Sequence, residues 1–279
     1  MTRIKTGIVL MAVGGCSLYF GGLVLCLFLL VVGCLAFYEI QQLSELKSVG
    51  LMVANMVCYA GVMLFFCLSF YRMIVPNVWA LLQVHFVQWI GLGLVVVCFG
   101  VFFIVYISKQ LLFRSYVVLN NLKFFLYITL GFGVIYIIRH IDGVGAAFTF
   151  LIFMVIWVTD VCAYYGGKRF GRHPLSPISP KKTIEGTLIG IAASMIATAI
   201  WVSAFDGGFL IFSQVGIVLM AGCIAAIAQF GDLYESLIKR TYNVKDSSNI
   251  LPGHGGILDR ADSTLFVAPL VFIMIVLGS

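Results

Sequence analysis

The sequence predicts an all-α fold, that of a polytopic integral membrane protein with about nine transmembrane helices. Hydrophobic residues make up 62% of its 279 positions and charged residues only 10%, whereas a soluble domain carries about 25% charged residues. So few polar side chains do not cover the surface of a soluble fold of this length, and lipid must therefore solvate most of the molecule. Apolar runs of about 20 residues, the length of a helix that crosses a bilayer, recur along the chain.

The first apolar stretch, residues 6–38, is longer than one membrane crossing requires. Gly21 and Gly22 in its middle predict a turn, so that the stretch forms a hairpin of two helices. One unbroken, tilted helix is the alternative, and it reduces the number of spans to eight. The basic residues before the stretch resemble the start of a signal peptide, but the apolar run continues to Phe37, which is too long for a signal sequence alone.

Seven further apolar runs are each predicted to cross the membrane once. They are residues 51–70, 89–107, 122–138, 144–165, 187–204, 208–230 and 264–278. The segment 71–88, which contains Pro76, leaves the exact number open, because it is long enough to hold an interfacial or re-entrant piece. We predict an N-terminal transmembrane region, 1–138, with little functional signal, and a C-terminal transmembrane region, 139–279, that contains the chemistry.

The positions of the basic residues predict which face of the membrane is cytoplasmic. With nine spans, one face holds the N-terminus and the segments 39–50, 108–121, 166–186 and 231–263. All Lys and Arg residues except Arg72 and Arg139 then lie on that face, if Lys123 at the mouth of the span 122–138 is counted with it. The positive-inside rule makes this face, with the N-terminus, cytoplasmic. The net charge of +6 is explained by these loops and by anionic lipid headgroups, and it indicates no nucleic-acid partner.

Two of these loops, 166–186 and 231–263, hold most of the charged side chains. Two predicted spans separate them, and an even number of crossings returns the chain to the same face, so the loops are expected to meet there. Each contains a stretch suited to phosphate, a lysine pair with a hydroxyl beside a helix start and a glycine-rich turn, although both are also typical of ordinary solvated loops. These stretches are Lys181-Lys182-Thr183 and His254-Gly255-Gly256, and neither matches the P-loop pattern.

Carboxylates recur in the second loop at helical spacing. One predicted helical face holds Asp232, Glu235, Ser236 and Lys239. Asp259 and Asp262, three residues apart, share another face at the entrance to the last span. Three converging aspartates would repel one another unless a cation bound them, and hard oxygen ligands suit Mg²⁺. The alternative is simple pairing of Asp259 with Lys239 or Arg260, and the spacing alone does not decide between the two.

Asp160 differs from these residues because it lies inside the apolar run 144–165. An ionisable side chain within a membrane span is expensive and is therefore a candidate functional residue. The alternative is a helix-packing hydrogen bond with the neighbouring Thr159 or Tyr164.

The stretch from Ser236 to Asp262 resembles the C-terminal signature of the phosphatidate cytidylyltransferases, also called CDP-diacylglycerol synthases. The matching residues are Ser236-Leu-Ile-Lys239-Arg240, Lys245-Asp246 and Pro252-Gly-His254-Gly255-Gly256-Ile-Leu-Asp259-Arg260-Ala261-Asp262. A second match upstream consists of Asp160-x-x-x-Tyr164, Gly167, Phe170-Gly171 and Ser179-Pro180-Lys181-Lys182-Thr183-x-Glu185-Gly186. Ala261 and Ile184 depart from the usual residues of the family, but no charged or glycine position is lost.

This resemblance implies an enzyme that joins CTP to phosphatidate, making CDP-diacylglycerol and pyrophosphate. It implies a homodimer with about nine spans per chain in the bacterial cytoplasmic (inner) membrane, and an active site that faces the cytoplasm. It also implies that activity depends on Mg²⁺, and it allows a monovalent cation such as K⁺ to share the metal centre. The catalytic residues implied are Asp232, Asp259, Asp262, Lys239 and Arg260, of which the three aspartates are the metal ligands. The substrate-binding residues implied are Asp160, Lys181, Lys182, Thr183, Glu185, Ser236, Arg240, Lys245, Asp246, His254, Gly255 and Gly256.

Two other functions compete with this interpretation. A CTP-dependent lipid kinase of the polyprenol or phytol type would transfer the γ-phosphoryl group instead, and its products would distinguish it. A cation transporter would explain intramembrane carboxylates, but the chain shows no internal repeat and its charges cluster at one predicted membrane face rather than at the midplane.

Overall fold

The computed structural model describes residues 2–43, 49–74, 115–204, 212–244, 246–251, 253 and 255–278. These residues form the helices α1 (Thr2–Phe20), α2 (Gly22–Leu43), α3 (Val49–Ile74), α4 (Ser115–Arg139), α5 (Gly145–Phe170), α6 (Ile184–Ala204), α7 (Gln214–Thr241) and α8 (Leu258–Gly278). Within them, α2 to α8 contain seven segments long and apolar enough to span a bilayer. The predicted all-α, polytopic membrane fold is thereby confirmed.

The total number of spans stays a prediction. The predicted span 89–107 and most of the segment 71–88 lie outside the described residues. The cytoplasmic location of the N-terminus was inferred from the nine-span topology, so it also stays a prediction. The remaining predicted spans each correspond to one helix.

Most helices extend beyond the apolar runs that predicted them, and three of these extensions bear on the site. Helix α6 begins three residues before position 187, α7 continues from position 230 to Thr241, and α8 begins at Leu258 rather than at position 264. Hydropathy marks only the part of a helix that lipid solvates, whereas charged turns continue the helix when their side chains find partners. These charged turns contain the carboxylates of the candidate site.

The contacts divide the chain into two compact units. The first unit comprises Met1–His140 and Ser248–Ile257, and the second comprises Ile141–Ser247 and Leu258–Ser279.

In the first unit, α1 and α2 form the predicted hairpin. The backbone turns through Gly21 (φ 61°) and Gly22 (φ 48°), a left-handed conformation that glycine adopts without strain. The helices then run side by side, because a Cβ added at Gly14 would lie 3.7 Å from the ring of Phe28. Arg139 at the end of α4 holds this turn by donating hydrogen bonds to the carbonyl oxygens that end α1, Leu18 O at 2.6 Å and Tyr19 O at 2.8 Å.

In the second unit, α5 and α6 pack closely through glycines. A Cβ added at Gly190 would lie 2.7 Å from the Thr159 carbonyl oxygen, and one at Gly186 would lie 2.6 Å from the Ala163 carbonyl oxygen. Only glycine permits this approach. Both helices also contact α7, and α8 packs on α7 and α5, so the four helices share one core.

Candidate active site

The segment between α5 and α6 folds as a narrow hairpin that presents the predicted lysine pair. Leu175 N donates to Lys182 O at 2.7 Å, and Ile184 N donates to His173 O at 3.0 Å. The Glu185 carboxylate accepts from His173 Nδ1 at 2.6 Å and from Arg172 N at 3.1 Å. This carboxylate therefore holds the base of the hairpin together. The substrate-binding role predicted for Glu185 stays a prediction.

Thr183 has a comparable local role, because its Oγ1 accepts from Gly186 N at 3.2 Å and caps the first turn of α6. Lys182 points from the hairpin towards α7, where its ammonium group forms an ion pair with Asp232 and lies 3.4 Å from Gln229 Oε1. The two charged loops therefore meet, as their even separation predicted. The neighbouring Lys181 is exposed.

Three carboxylates from α7 and α8 converge next to this ion pair. Oxygen atoms of Asp232, Glu235 and Asp262 all lie within 4.8 Å of one another. Glu235 is fully buried, and neither of its carboxylate oxygens accepts a hydrogen bond, although one contacts the ammonium group of Lys239. Carboxylates this close repel one another, and three converging sets of oxygen atoms are ligands that fit a hard cation such as Mg²⁺.

Asp259, the third metal ligand predicted from the sequence, has different partners. Its Oδ1 lies 2.7 Å from Lys239 Nζ, and its Oδ2 accepts from Ser247 N at 3.1 Å and from Ser247 Oγ at 3.2 Å. The structure thus forms the ion pair that was the alternative to metal ligation, and Glu235 takes the place in the carboxylate cluster expected for Asp259. The ligand role of Asp259 stays a prediction.

These side chains line a cavity of about 240 Å³ in the second unit, whose walls are almost entirely polar. The lining residues are Asp160, Asp232, Glu235, Lys239, Asp246, Asp259, Arg260, Asp262 and Ser263. Asp160 Oδ1 accepts from Gln229 Nε2 at 3.2 Å, so its partner is on another helix rather than the neighbouring Thr159 or Tyr164. The cavity therefore brings together seven of the residues that the sequence selected.

Other predicted residues lie elsewhere. Among the described residues, Ser236 is half-buried outside the cavity lining, and Arg240 is exposed and donates to Val244 O at 2.9 Å. Gly255 and Gly256 belong to the first unit. Lys245 and His254 lie outside the described residues.

The sequence analysis did not select Glu235, Gln229 or Ser247 for the site. Glu235 was visible as a member of the helical face that contains Asp232, and Gln229 continues that face one turn towards the N-terminus. Ser247 had no such signal, because its contact with Asp259 depends on the path of an irregular segment.

Comparisons with known proteins agree with this geometry. Residues 1–277 match the cytidylyltransferase family. The chain is 31% identical to a phosphatidate cytidylyltransferase of Bacillus subtilis (strain 168) over 99% of this chain and 98% of the relative, and 32% identical to one of Staphylococcus aureus (strain COL) over 98% of each chain. It is 43% identical to one of Helicobacter pylori (strain ATCC 700392 / 26695) over 52% of each chain. The chain therefore belongs to the cytidylyltransferase family.

Proposed function

We propose that this protein is a phosphatidate cytidylyltransferase that works at the cytoplasmic face of a bacterial inner membrane. A phosphate oxygen of phosphatidate attacks the α-phosphorus of CTP, the bond from that phosphorus to the β-phosphate bridging oxygen breaks, and pyrophosphate leaves. The observation that supports the proposal most directly is the polar cavity that contains three converging carboxylates and the ion-paired Lys239, with Lys182 paired to one of those carboxylates. Family membership and the relatives' names support the choice of substrates.

The carboxylates of Asp232, Glu235 and Asp262 would hold Mg²⁺, since their oxygens already converge. When bound, Mg²⁺ supplies positive charge that offsets the charge on the triphosphate and on the leaving pyrophosphate. The proposal allows a monovalent cation such as K⁺ to share this acidic cavity.

The basic side chains that line the cavity or pair with its carboxylates position the two anionic substrates. Lys182 and Lys239 are each held by an ion pair with a carboxylate, which fixes their ammonium groups before substrate arrives. Arg260 presents a further cation at the cavity wall. A phosphate monoester is largely ionised near pH 7, so the attacking oxygen needs no strong general base.

The lipid substrate fits the location of the site at helix ends. The cavity lies where α7 and α8 change from apolar to charged residues, the depth at which a phospholipid headgroup meets water. Phosphatidate would enter from the bilayer and CTP from the cytoplasm. We further propose that the protein works as a homodimer.

The test is transfer of label from CTP to lipid. Purified protein in detergent is incubated with phosphatidate, Mg²⁺ and CTP labelled in the α-phosphate, and the lipid phase is counted. We expect label in the lipid and release of pyrophosphate. Transfer of label from γ-labelled CTP, with none from α-labelled CTP, would show a lipid kinase instead.

A further inference from the structure

The first unit contains a buried carboxylate that the proposed mechanism does not use. Glu39 stands near the end of α2 and is fully buried. Its Oε1 accepts a hydrogen bond from Ser248 Oγ at 2.6 Å and another from Ile257 N at 2.7 Å. The donors are more than 200 residues away in sequence, so these contacts join the start of the chain to the segment 248–257.

Burial of a carboxylate is costly unless donors replace the lost water, so the presence of Glu39 on a helix with no other charged residue needs a physical reason. The two donors provide one, because hydrogen bonds to a charged acceptor are short and strong. Ser248 and Ile257 are the first and last residues of the segment. One carboxylate oxygen therefore joins both ends of the loop.

Contacts within the segment give it a defined shape between these ends. Leu251 N donates to Gly255 O at 3.0 Å, and Ser248 Oγ also accepts from Ile250 N at 3.2 Å. Gly253 and Gly255 have φ angles of 78° and 80°, a conformation that other residues adopt only with strain. The loop is a tight turn, and Glu39 closes it.

The chain on both sides of this loop leads directly to the candidate site. Ser247, immediately before the loop, donates two hydrogen bonds to Asp259. Leu258, immediately after it, begins the helix whose first turns contain Asp259 and Asp262. A shift of either loop end is therefore transmitted covalently to residues that line the cavity.

We propose that Glu39 is a positioning residue for nucleotidyl transfer, which closes the loop 248–257 and so fixes the point at which α8 begins, one residue before Asp259. The proposal rests on the proposed function for its substrate. It extends the functional machinery into the N-terminal part of the chain, through contacts inside the first unit.

Three variants test it. Glu39→Leu removes the acceptor, whereas Glu39→Gln keeps a carbonyl oxygen that accepts both hydrogen bonds. Tyr59→Phe is the matched control, because the fully buried Tyr59 hydroxyl donates to Leu29 O at 2.6 Å on the same helix without touching the loop. Each is purified in detergent, and amide hydrogen exchange of the peptide 248–257 is measured alongside kcat and KM for CTP.

We expect Glu39→Leu to accelerate exchange across 248–257, and to lower kcat/KM for CTP, by about tenfold or more each, which is the loss expected for hydrogen bonds to a charged acceptor. Glu39→Gln should rescue both properties. Tyr59→Phe should lower the melting temperature while leaving loop exchange and turnover per folded molecule unchanged. Should Glu39→Leu fold too poorly to purify, Ser248→Ala removes one of the two hydrogen bonds and should accelerate exchange in the same peptide.

Two results would overturn the proposal. Unchanged exchange in Glu39→Leu would show that the carboxylate does not close the loop. Faster exchange with unchanged kcat/KM would show a purely structural residue. If the wild-type protein transfers no label from CTP to lipid, the proposed function fails, and the exchange measurement still decides whether Glu39 closes the loop.

Discussion

Glu39 and Glu235 are the same residue type, stand near the ends of two long apolar helices and are both fully buried. Their hydrogen bonding is opposite. Glu39 accepts from a hydroxyl and from a backbone amide. Glu235 has an ion pair with Lys239 but no hydrogen bond from a hydroxyl or a backbone amide, and it lies beside the carboxylates of Asp232 and Asp262. The chain therefore satisfies one buried carboxylate with neutral donors and leaves the other incompletely satisfied, with one ion pair.

The difference between Glu39 and Glu235 distinguishes a buried carboxylate that stabilises the fold from one that is available to bind a ligand. A satisfied carboxylate fixes the segments that donate to it, and it needs nothing from solution. An unsatisfied carboxylate among others of the same charge destabilises the fold unless something positive binds, and such strain is concentrated at functional sites. Burial alone does not distinguish the two, because it is the same in both.

The largest effect is expected from Asp262→Asn, which removes one charge of the cluster while the amide oxygen still accepts from Ser263 N, 2.6 Å away in the native protein. Label transfer should fall by at least about 10³-fold, and stabilisation by added Mg²⁺ should disappear. In EDTA the variant should melt no lower than the wild type, because a repulsion has been removed. The measurements are label transfer and thermal unfolding, each with and without Mg²⁺.

A matched control in the same unit is Thr198→Val, which removes a buried hydroxyl that bonds within α6. It should keep both the label transfer and the response to Mg²⁺. An Asp262→Asn protein that retains the Mg²⁺ response would show that the unsatisfied cluster is not a cation site.

The second prediction distinguishes ligation by Asp259 from its observed pairing with Lys239. If the carboxylate acts by holding Lys239 and Ser247, Asp259→Asn should lower kcat by about 10–100-fold, as expected for a supporting interaction, and leave the Mg²⁺ concentration at half-maximal activity unchanged. A Mg²⁺ titration of activity measures both quantities. A large rise in that concentration would instead establish the ligand role predicted from the sequence.

The third prediction compares two adjacent lysines, both of which the sequence selected. Lys182 contacts Asp232 and Gln229, whereas Lys181 is exposed. Lys182→Gln should reduce kcat/KM for CTP by about 10–100-fold, because the cation that pairs with Asp232 is lost. Lys181→Gln, with the same chemical change one residue away, should have a much smaller effect. Equal losses in the two variants would mean that net loop charge, rather than the fixed geometry, attracts the nucleotide.

Sequence patterns predicted the helices and most of the cavity, for identifiable reasons. Apolar runs specify membrane spans, and helical spacing placed Asp232 and Lys239 on one face before any contact was known. The Gly21-Gly22 turn was predictable because glycine tolerates the left-handed backbone that a tight turn requires.

What the sequence did not reveal depends on contacts between segments distant in the chain. Spacing could not decide whether Asp259 binds a cation or Lys239, since both require the same residues in the same positions. Glu39 carries no local signal of its role, because its partners lie more than 200 residues later. Which buried carboxylate is satisfied is a property of tertiary structure alone.

The smallest effect is expected at His140, a titratable side chain that has a hydrogen-bond partner at each ring nitrogen. Its Nε2 accepts from Gly22 N at 2.8 Å, so the ring is neutral and its Nδ1 proton is donated to Tyr136 O at 2.7 Å. Burial lowers the pKa of His140 below its ordinary value of 6.5. The unfolded chain therefore binds this proton more readily, and the histidine's contribution to stability is complete above about pH 6.5 and declines as the pH falls below it.

Like Glu39, His140 is satisfied, so its titration should alter the stability of the α1–α2 turn. Between pH 7.5 and 5.5, the wild-type melting temperature should fall further than that of His140→Asn, by no more than about 4 °C, in unfolding scans followed by intrinsic fluorescence. Turnover per folded molecule at neutral pH should be the same in both proteins. Parallel melting curves across this range would mean that the ring titrates equally in the folded and unfolded chains. The hydrogen bond from Gly22 would then contribute nothing to the turn, because protonation of Nε2 removes the lone pair that accepts it.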